Sequence, residues 1–371
     1  MERFDVDQVV TPTGVVAPAS VVIESGRIVA VGDPAEVGAV GGTPTRLHGT
    51  LVPGFVDLQV NGIAGRQFGM GSDLLASTAA ALVATGTTAF CPTLTTRPLD
   101  DYPAVVAGLG AARTAPRNLG LHLEGPFLSS EHAGAHDRAS LTAPTADAVE
   151  RLLDLGDIAI VTLAPELPGG RDAVARFVQA GVVVSAGHTD ATYAQLRDAV
   201  DAGVTMVTHL FNAQRGIHHR DPGTAGGALL IDTLHVGIIL DGEHVHPDLA
   251  FLALRAAGER AFAVTDAVAT AGLPPGRHTF DGITVDTTGG PPRLLDGTLA
   301  GSNLTMDAAF RFVAEVLGLQ AAVTATATAP ARAVGRRDLG VVEPGTAADL
   351  VLLDDGLEVL GVWCDGVRVV G

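Results

Sequence analysis

Lysine is missing altogether: all 23 basic residues are arginine. That excludes a Schiff-base lysine, a P-loop lysine and a carboxylated lysine bridging two metals. Cysteine is almost missing. Cys91 and Cys364 lie far apart and form no C-x-x-C pair, so no disulfide framework is expected and a reducing compartment fits. Aromatic residues make up only 4% of the chain, which leaves Ala, Val and Leu to build the core. No run approaches the roughly 18 apolar residues of a membrane span, and the start Met-Glu-Arg-Phe-Asp has no apolar signal region. A soluble cytoplasmic protein is expected. What is plentiful is negative charge: 41 acidic against 23 basic residues give a net charge of −18. Such a surface argues against nucleic acid and against an anionic membrane as partners. Any anionic substrate then needs a local Arg or His cluster. With 47% hydrophobic and 17% charged residues the chain is globular in composition.

The two ends read alike. Val21–Glu24 and Arg27–Val31 flank the tight-turn dipeptide Ser25-Gly26, and no useful helical period precedes Pro53. At the other end Ala348–Leu353, Leu357–Cys364 and Val367–Val370 follow the same pattern, with Asp365-Gly366 as a second turn. These ends predict one small β domain assembled from residues 1–52 and 336–371; two unrelated edge ribbons are the alternative. Residues 53–335 alternate instead. Phe55–Val60, Thr87–Leu94, Leu119–Leu123, Ile158–Leu163, Val182–Ala186, Thr205–Thr208, Val236–Leu240 and Ala261–Thr265 read as short buried parallel strands. Asp73–Ala84, Thr145–Leu155, Arg171–Ala180, Tyr193–Ala202 and Pro247–Ala257 read as helices, several followed by a terminating glycine. The pattern predicts an α/β fold: a (β/α)8 TIM-type barrel with a small β-sandwich domain built from both chain termini. An open doubly wound sheet is the runner-up. Thr305–Leu317 and Gln320–Ala327 read as closing helices, and the Gly/Pro-rich piece 272–300 as a hairpin insertion.

The chemistry-bearing residues recur at one place in each unit, just after a strand. Gln59 and Asn61 end the first, His122 and Glu124 the third, His188 the fifth, His209 the sixth and Asp266 the eighth. In a barrel these ends meet at one mouth. A lone histidine after a strand is most often a hydrogen-bonded loop residue; the joint placement is the stronger signal. One carboxylate and two imidazoles form a three-ligand site with an open position, the pattern of a catalytic zinc or iron. Water at such a site becomes a nucleophile near neutral pH, and the remaining carboxylate, Asp266, suits a general base that later returns the proton. His122 is as readily a packing residue as a ligand. His48, His132, His235, His246 and His278 read as loop or surface residues, and Asp241 as a loop cap.

At these motifs the chain resembles the N-acetylglucosamine-6-phosphate deacetylases of the amidohydrolase superfamily, over essentially its whole length. The resemblance rests on Pro53 to Gly62, Leu121 to Pro126, Val161 to Glu166, Ser185 to Thr189, Thr208 to Ala213, Arg220 to Gly223, Asp241 to Val245, Thr265 to Ala267 and Gly301 to Met306, in that order. It implies deacetylation of N-acetylglucosamine 6-phosphate to glucosamine 6-phosphate and acetate. It implies one divalent metal on Glu124, His188 and His209, zinc first, with iron, cobalt or manganese as alternatives. Asp266 would be the general base and acid, and His136 would polarise the acetamido carbonyl. Asn212, Ala213 and Leu299-Ala300-Gly301 would contact the sugar. Arg220 and His244 would hold the phosphate, in this family at times across a homodimer interface; an Arg220–Asp221 loop ion pair is the bland alternative. Where many amidohydrolases carry His-x-His for a second metal, this chain has Gln59-Val60-Asn61. The segment Ser129–Ala139 is expected to form a mobile flap and matches the family only around His136. The rival readings are a deacetylase of N-acetylgalactosamine 6-phosphate, a cyclic-amide hydrolase or deaminase on the same fold, and a non-catalytic sugar-phosphate sensor. The sensor would need neither a metal cluster nor a base.

Overall fold

The computed structural model describes residues 1–38, 40, 42–111, 115–280 and 283–371. Eight parallel strands form its centre: β1 (Phe55–Val60), β2 (Thr87–Thr95), β3 (Leu121–Glu124), β4 (Ile158–Leu163), β5 (Val183–Ala186), β6 (Met206–Val207), β7 (His235–Ile239) and β8 (Ala261–Val264). Each pairs with the next in chain order. Their residues are buried on both faces, β1 along all of its length, which is why they read as unbroken apolar runs. The ring closes between β8 and β1 near the mouth. There the Asp266 N–H donates to Gln59 O at 2.8 Å and the Asn61 N–H to Ala267 O at 2.7 Å. The Thr265 hydroxyl and N–H both donate to the buried Asp57, whose pKa burial pushes up to about 7.

A helix follows every strand: α1 (Leu74–Ala84), α2 (Tyr102–Gly108), α3 (Ala146–Leu153), α4 (Gly170–Gln179), α5 (Tyr193–Ala202), α6 (Gly223–Leu230), α7 (Pro247–Ala257) and α8 (Met306–Leu317). The architecture is therefore the barrel and not the open sheet. The helices α2 and α6 escape a reading by pattern. Helix α6 runs Gly-Thr-Ala-Gly-Gly-Ala-Leu-Leu, three glycines in eight residues, a poor helix by propensity. Packing overrides propensity there: a Cβ at Gly227 would sit 2.5 Å from Leu196 Cδ2 of α5, so only glycine allows the two helices to approach. Phe310 of α8 stacks on Phe55 of β1, ring centroids 5.2 Å apart. The Ala/Thr-biased stretch after α8 is helical from Leu319 to Val323, loosens into one π-type segment over Thr324–Thr328, and resumes at Ala329–Ala333.

The two ends share one sheet. Its order runs Val367–Val370, Val359–Cys364, Leu350–Leu353, Thr50–Pro53, Gln8–Thr11, Gly14–Val16. A second sheet of Glu2–Val6, Ala19–Glu24, Arg27–Gly32 and Thr45–Arg46 faces it. Phe4, Val21, Ile28, Leu51, Leu350 and Trp363 fill the space between the two. The Ser25-Gly26 and Asp365-Gly366 turns have positive φ at both positions, as a two-residue hairpin turn requires. A single helical turn, Pro34–Val37, interrupts this β region. The insertion after β8 holds three short antiparallel strands, Arg277–Phe280, Ile283–Asp286 and Arg293–Leu294; positions 281 and 282 of that expected hairpin lie outside the described residues. Among the described residues no helix is long and apolar enough to cross a membrane.

Candidate active site

Glu124 is the last residue of β3, while His188, His209 and Asp266 each stand two residues beyond β5, β6 and β8. Those three have left-handed backbone, with φ of 48°, 27° and 47°, a conformation that non-glycine residues adopt at a cost of about 1–3 kcal/mol and that clusters at functional sites. Gly187 precedes His188 because a Cβ there would meet Thr162 at 2.7 Å and Thr208 at 2.8 Å.

The three candidate ligands converge. His209 Nε2 lies 3.1 Å and His188 Nε2 3.3 Å from Glu124 Oε1, and the two Nε2 atoms are 3.1 Å apart. One ligand atom from each falls within 4.8 Å of the others, and all three residues are buried. The chemistry of this donor set fits a divalent metal. His188 Nδ1–H donates to the His132 carbonyl at 2.9 Å, which leaves the Nε2 lone pair of a neutral ring facing the cluster. Burial first, then the neighbouring His136, pushes the His188 pKa down to about 4, so this ring stays neutral. Burial alone would raise Glu124, but its contacts with His136, His188 and His209 hold it well below the ordinary carboxylate range. Burial opposes charge on His209, yet the Glu124 contact raises its pKa.

Asp266 stands beside this cluster. Asn61 Nδ2 donates to its Oδ1 at 2.6 Å, and Gln59 Nε2 reaches both Glu124 Oε1 at 2.8 Å and Asp266 Oδ1 at 3.3 Å. Both amides are thus engaged with carboxylates. Burial, then the charge of Glu124, raises Asp266 to about 6, a value suited to a base working near neutrality.

His136 completes the ring, its Nε2 3.6 Å from Glu124 Oε2. Its Nδ1 accepts from the Thr96 N–H at 3.3 Å, so the proton sits on Nε2 and faces the site. The segment expected as a flap lies against β5: Ser129 N–H donates to His188 O at 2.9 Å, and His132 Nε2 meets Asp190 at 3.1 Å. The sequence reading left His132 and Thr96 without a part in the site. His132 acts through its carbonyl, a backbone group that carries no residue-type signal, and Thr96 meets His136 Nδ1 with its amide and, at 2.8 Å, its hydroxyl. His122 is a packing residue: its Nδ1–H donates to Leu58 O at 2.9 Å and its Nε2 accepts from the Thr162 hydroxyl at 2.8 Å. Burial lowers its pKa and keeps it neutral.

A cavity of about 780 Å³ opens over the cluster. Asn212, Ala213, His244, Leu299, Ala300 and Gly301 line it. His244 Nδ1–H donates to Asp241 at 2.7 Å, and Asp241 also caps the loop by accepting from the Glu243 and His244 amides. Arg220 is exposed and does not line the cavity of its own chain. Nor does it pair with Asp221, because Arg215 takes that carboxylate at 3.0 Å and Asp190 at 2.9 Å.

Comparison with known proteins agrees with this geometry. The Amidohydrolase family profile matches residues 50–369. The N-acetylglucosamine-6-phosphate deacetylase of Danio rerio is 39% identical over 340 residues, 86% of this chain and 84% of that protein. The N-acetylgalactosamine-6-phosphate deacetylase of Escherichia coli O157:H7 is 35% identical, over 85% of this chain and 86% of that one. The solved structure of a Mycobacterium smegmatis N-acetyl-D-glucosamine-6-phosphate deacetylase variant, in complex with N-acetyl-D-glucosamine-6-phosphate, superposes with a TM-score of 0.91 at 36% identity, covering 100% of this chain and 99% of that one.

With Gln59 and Asn61 both engaged and no second ligand cluster among the described residues, purified protein is expected to hold about one divalent metal per chain. Elemental analysis checks this; a stable content near two, both needed for activity, contradicts it.

Proposed function

The chain belongs to the amidohydrolase family, and from that premise we propose that it is an N-acetylglucosamine-6-phosphate deacetylase, hydrolysing its substrate to glucosamine 6-phosphate and acetate. The observation that carries this reading is the Glu124–His188–His209 cluster beside Asp266 at the floor of one cavity.

Glu124, His188 and His209 would hold the metal, and zinc suits the set best, though iron, cobalt or manganese would also bind it. A divalent cation bound there supplies Lewis acidity, lowering the pKa of water so that it attacks near neutral pH. Asp266 takes the proton from the attacking water, and Asn61 and Gln59 fix the carboxylate for that transfer. The water oxygen bonds to the acetamido carbon while His136 Nε2–H donates to the carbonyl oxygen and stabilises the charge that develops on it. Asp266 then hands its proton to the sugar nitrogen, the C–N bond breaks, and amine and acetate leave. Asn212, Ala213 and Leu299–Gly301 position the sugar, and His244, held by Asp241, faces the phosphate. Arg220 completes the phosphate site from a partner subunit; its exposure and its place outside its own cavity fit a homodimer. Two buried free thiols, Cys91 and Cys364, fit a reducing cytoplasm. The galactosamine-acting relative keeps a second reading in play, in which the substrate is the C4 epimer.

Asp266→Asn is expected to keep metal and substrate binding while losing at least about 10²–10⁴-fold in kcat, because Asn cannot accept the proton. Near-normal turnover with metal bound would remove Asp266 from the base role.

Arg220→Ala is expected to lower kcat/KM for N-acetylglucosamine 6-phosphate by roughly ten- to a hundredfold and to leave unphosphorylated N-acetylglucosamine nearly untouched. Equal losses on both sugars would make Arg220 a structural residue.

A further inference from the structure

The insertion between β8 and α8 covers one side of the cavity. Phe280, Ile283, Val285 and Leu294 give it an apolar inner wall, and Arg293 stands among them. Among the described residues Arg293 is the one arginine that lines the cavity. Its place is fixed from two sides: it pairs with Asp286 in the insertion sheet and bridges to Leu299, and the Ala300 N–H donates to Pro292 O at 3.0 Å. Gly290 abuts the loop that carries His244, since a Cβ there would lie 3.9 Å from Glu243 Oε1. Arg293 therefore belongs to the same wall as the sugar-contacting stretch, and the insertion that carries it reaches the loop of His244 at Gly290.

Its charge is uncommitted. Arg277 of the same insertion is paired with Asp286 at 2.8 Å. The Arg293 guanidinium donates to the neutral carbonyl of Gly297 at 3.0 Å and has no carboxylate within ion-pair distance among the described residues. The chain as a whole repels anions, with a net charge of −18, so a phosphate must find its cation locally. Arg293 is exposed at the cavity wall, and a guanidinium there without a carboxylate partner offers its remaining N–H donors for bidentate capture of phosphate oxygens.

We propose that Arg293 binds the substrate phosphate from within the same subunit, alongside His244. The proposal rests on the reading that the substrate is a sugar phosphate. It makes the insertion a specificity element and gives each active site a phosphate cation that does not depend on the partner subunit.

The test uses the metal-loaded enzyme with Arg293→Ala and Arg293→Lys, assayed on N-acetylglucosamine 6-phosphate and on N-acetylglucosamine, with inorganic phosphate as competitor. Arg293→Ala should raise KM for the phosphorylated sugar about ten- to a hundredfold, with kcat within about twofold, and weaken phosphate inhibition similarly. Lys should restore part of the affinity, keeping the charge but not the fork. Turnover of the unphosphorylated sugar should not change. An unaltered KM for the phosphorylated sugar, or equal losses on both sugars, overturns the role of Arg293 while the substrate assignment stands. A wild type that does not distinguish the two sugars overturns the substrate assignment and this proposal with it.

Discussion

Glu124 keeps a negative charge at the buried mouth of the barrel because donors converge on it: Gln59 from β1, His136 from the segment after β3 and His209 from beyond β6. A buried carboxylate without such partners would be strongly disfavoured. The constraint reaches outward from there. His188 faces the cluster because its far nitrogen is held by the His132 carbonyl, and His132 is tied to Asp190, which Arg215 grips in turn. His136 presents its proton because Thr96 holds its other nitrogen. Asp266 is aimed by the side-chain amides of Gln59 and Asn61, the two residues whose backbone groups bond β1 to β8. Ring closure and site assembly thus fall on the same residues.

This arrangement explains why Gln59 and Asn61 are amides. Imidazoles there would offer a second set of metal ligands. Amide N–H groups instead donate to Glu124 and Asp266, two carboxylates that would otherwise repel one another in a low-dielectric site. The substrate end is organised differently. The His244 side chain is buried and held by Asp241, Arg220 is exposed away from the cavity, and Arg293, also exposed, stands at the cavity wall.

Most of this was legible in the residues. All eight barrel strands were readable because a strand buried on both faces is an apolar run, and Glu124, His188, His209 and Asp266 could be placed because each ends or closely follows such a run. Tyr193–Ala202 and Pro247–Ala257 coincide with α5 and α7 to the residue, since strong periodicity and a terminating Gly203 or Gly258 agree. Helix α6 was hidden because its glycines answer to close packing on α5 and not to propensity. His132 was hidden because its backbone carbonyl does the work, and Thr96 because it acts only by holding His136 across a loop. Arg215, not Arg220, holds Asp221. The part that Arg293 takes could not be read at all, since it depends on how a Gly/Pro-rich insertion folds back over the mouth.

The central claim is that this cluster, loaded with a divalent metal, removes acetate from an N-acetylated hexosamine phosphate. Its most direct test is acetate release from N-acetylglucosamine 6-phosphate by chelator-stripped protein, before and after a divalent metal is restored. The account predicts no release from stripped protein, and on reconstitution one acetate and one glucosamine 6-phosphate for each substrate consumed. Silence from the fully reconstituted protein, or undiminished release from protein verified to be metal-free, would contradict it.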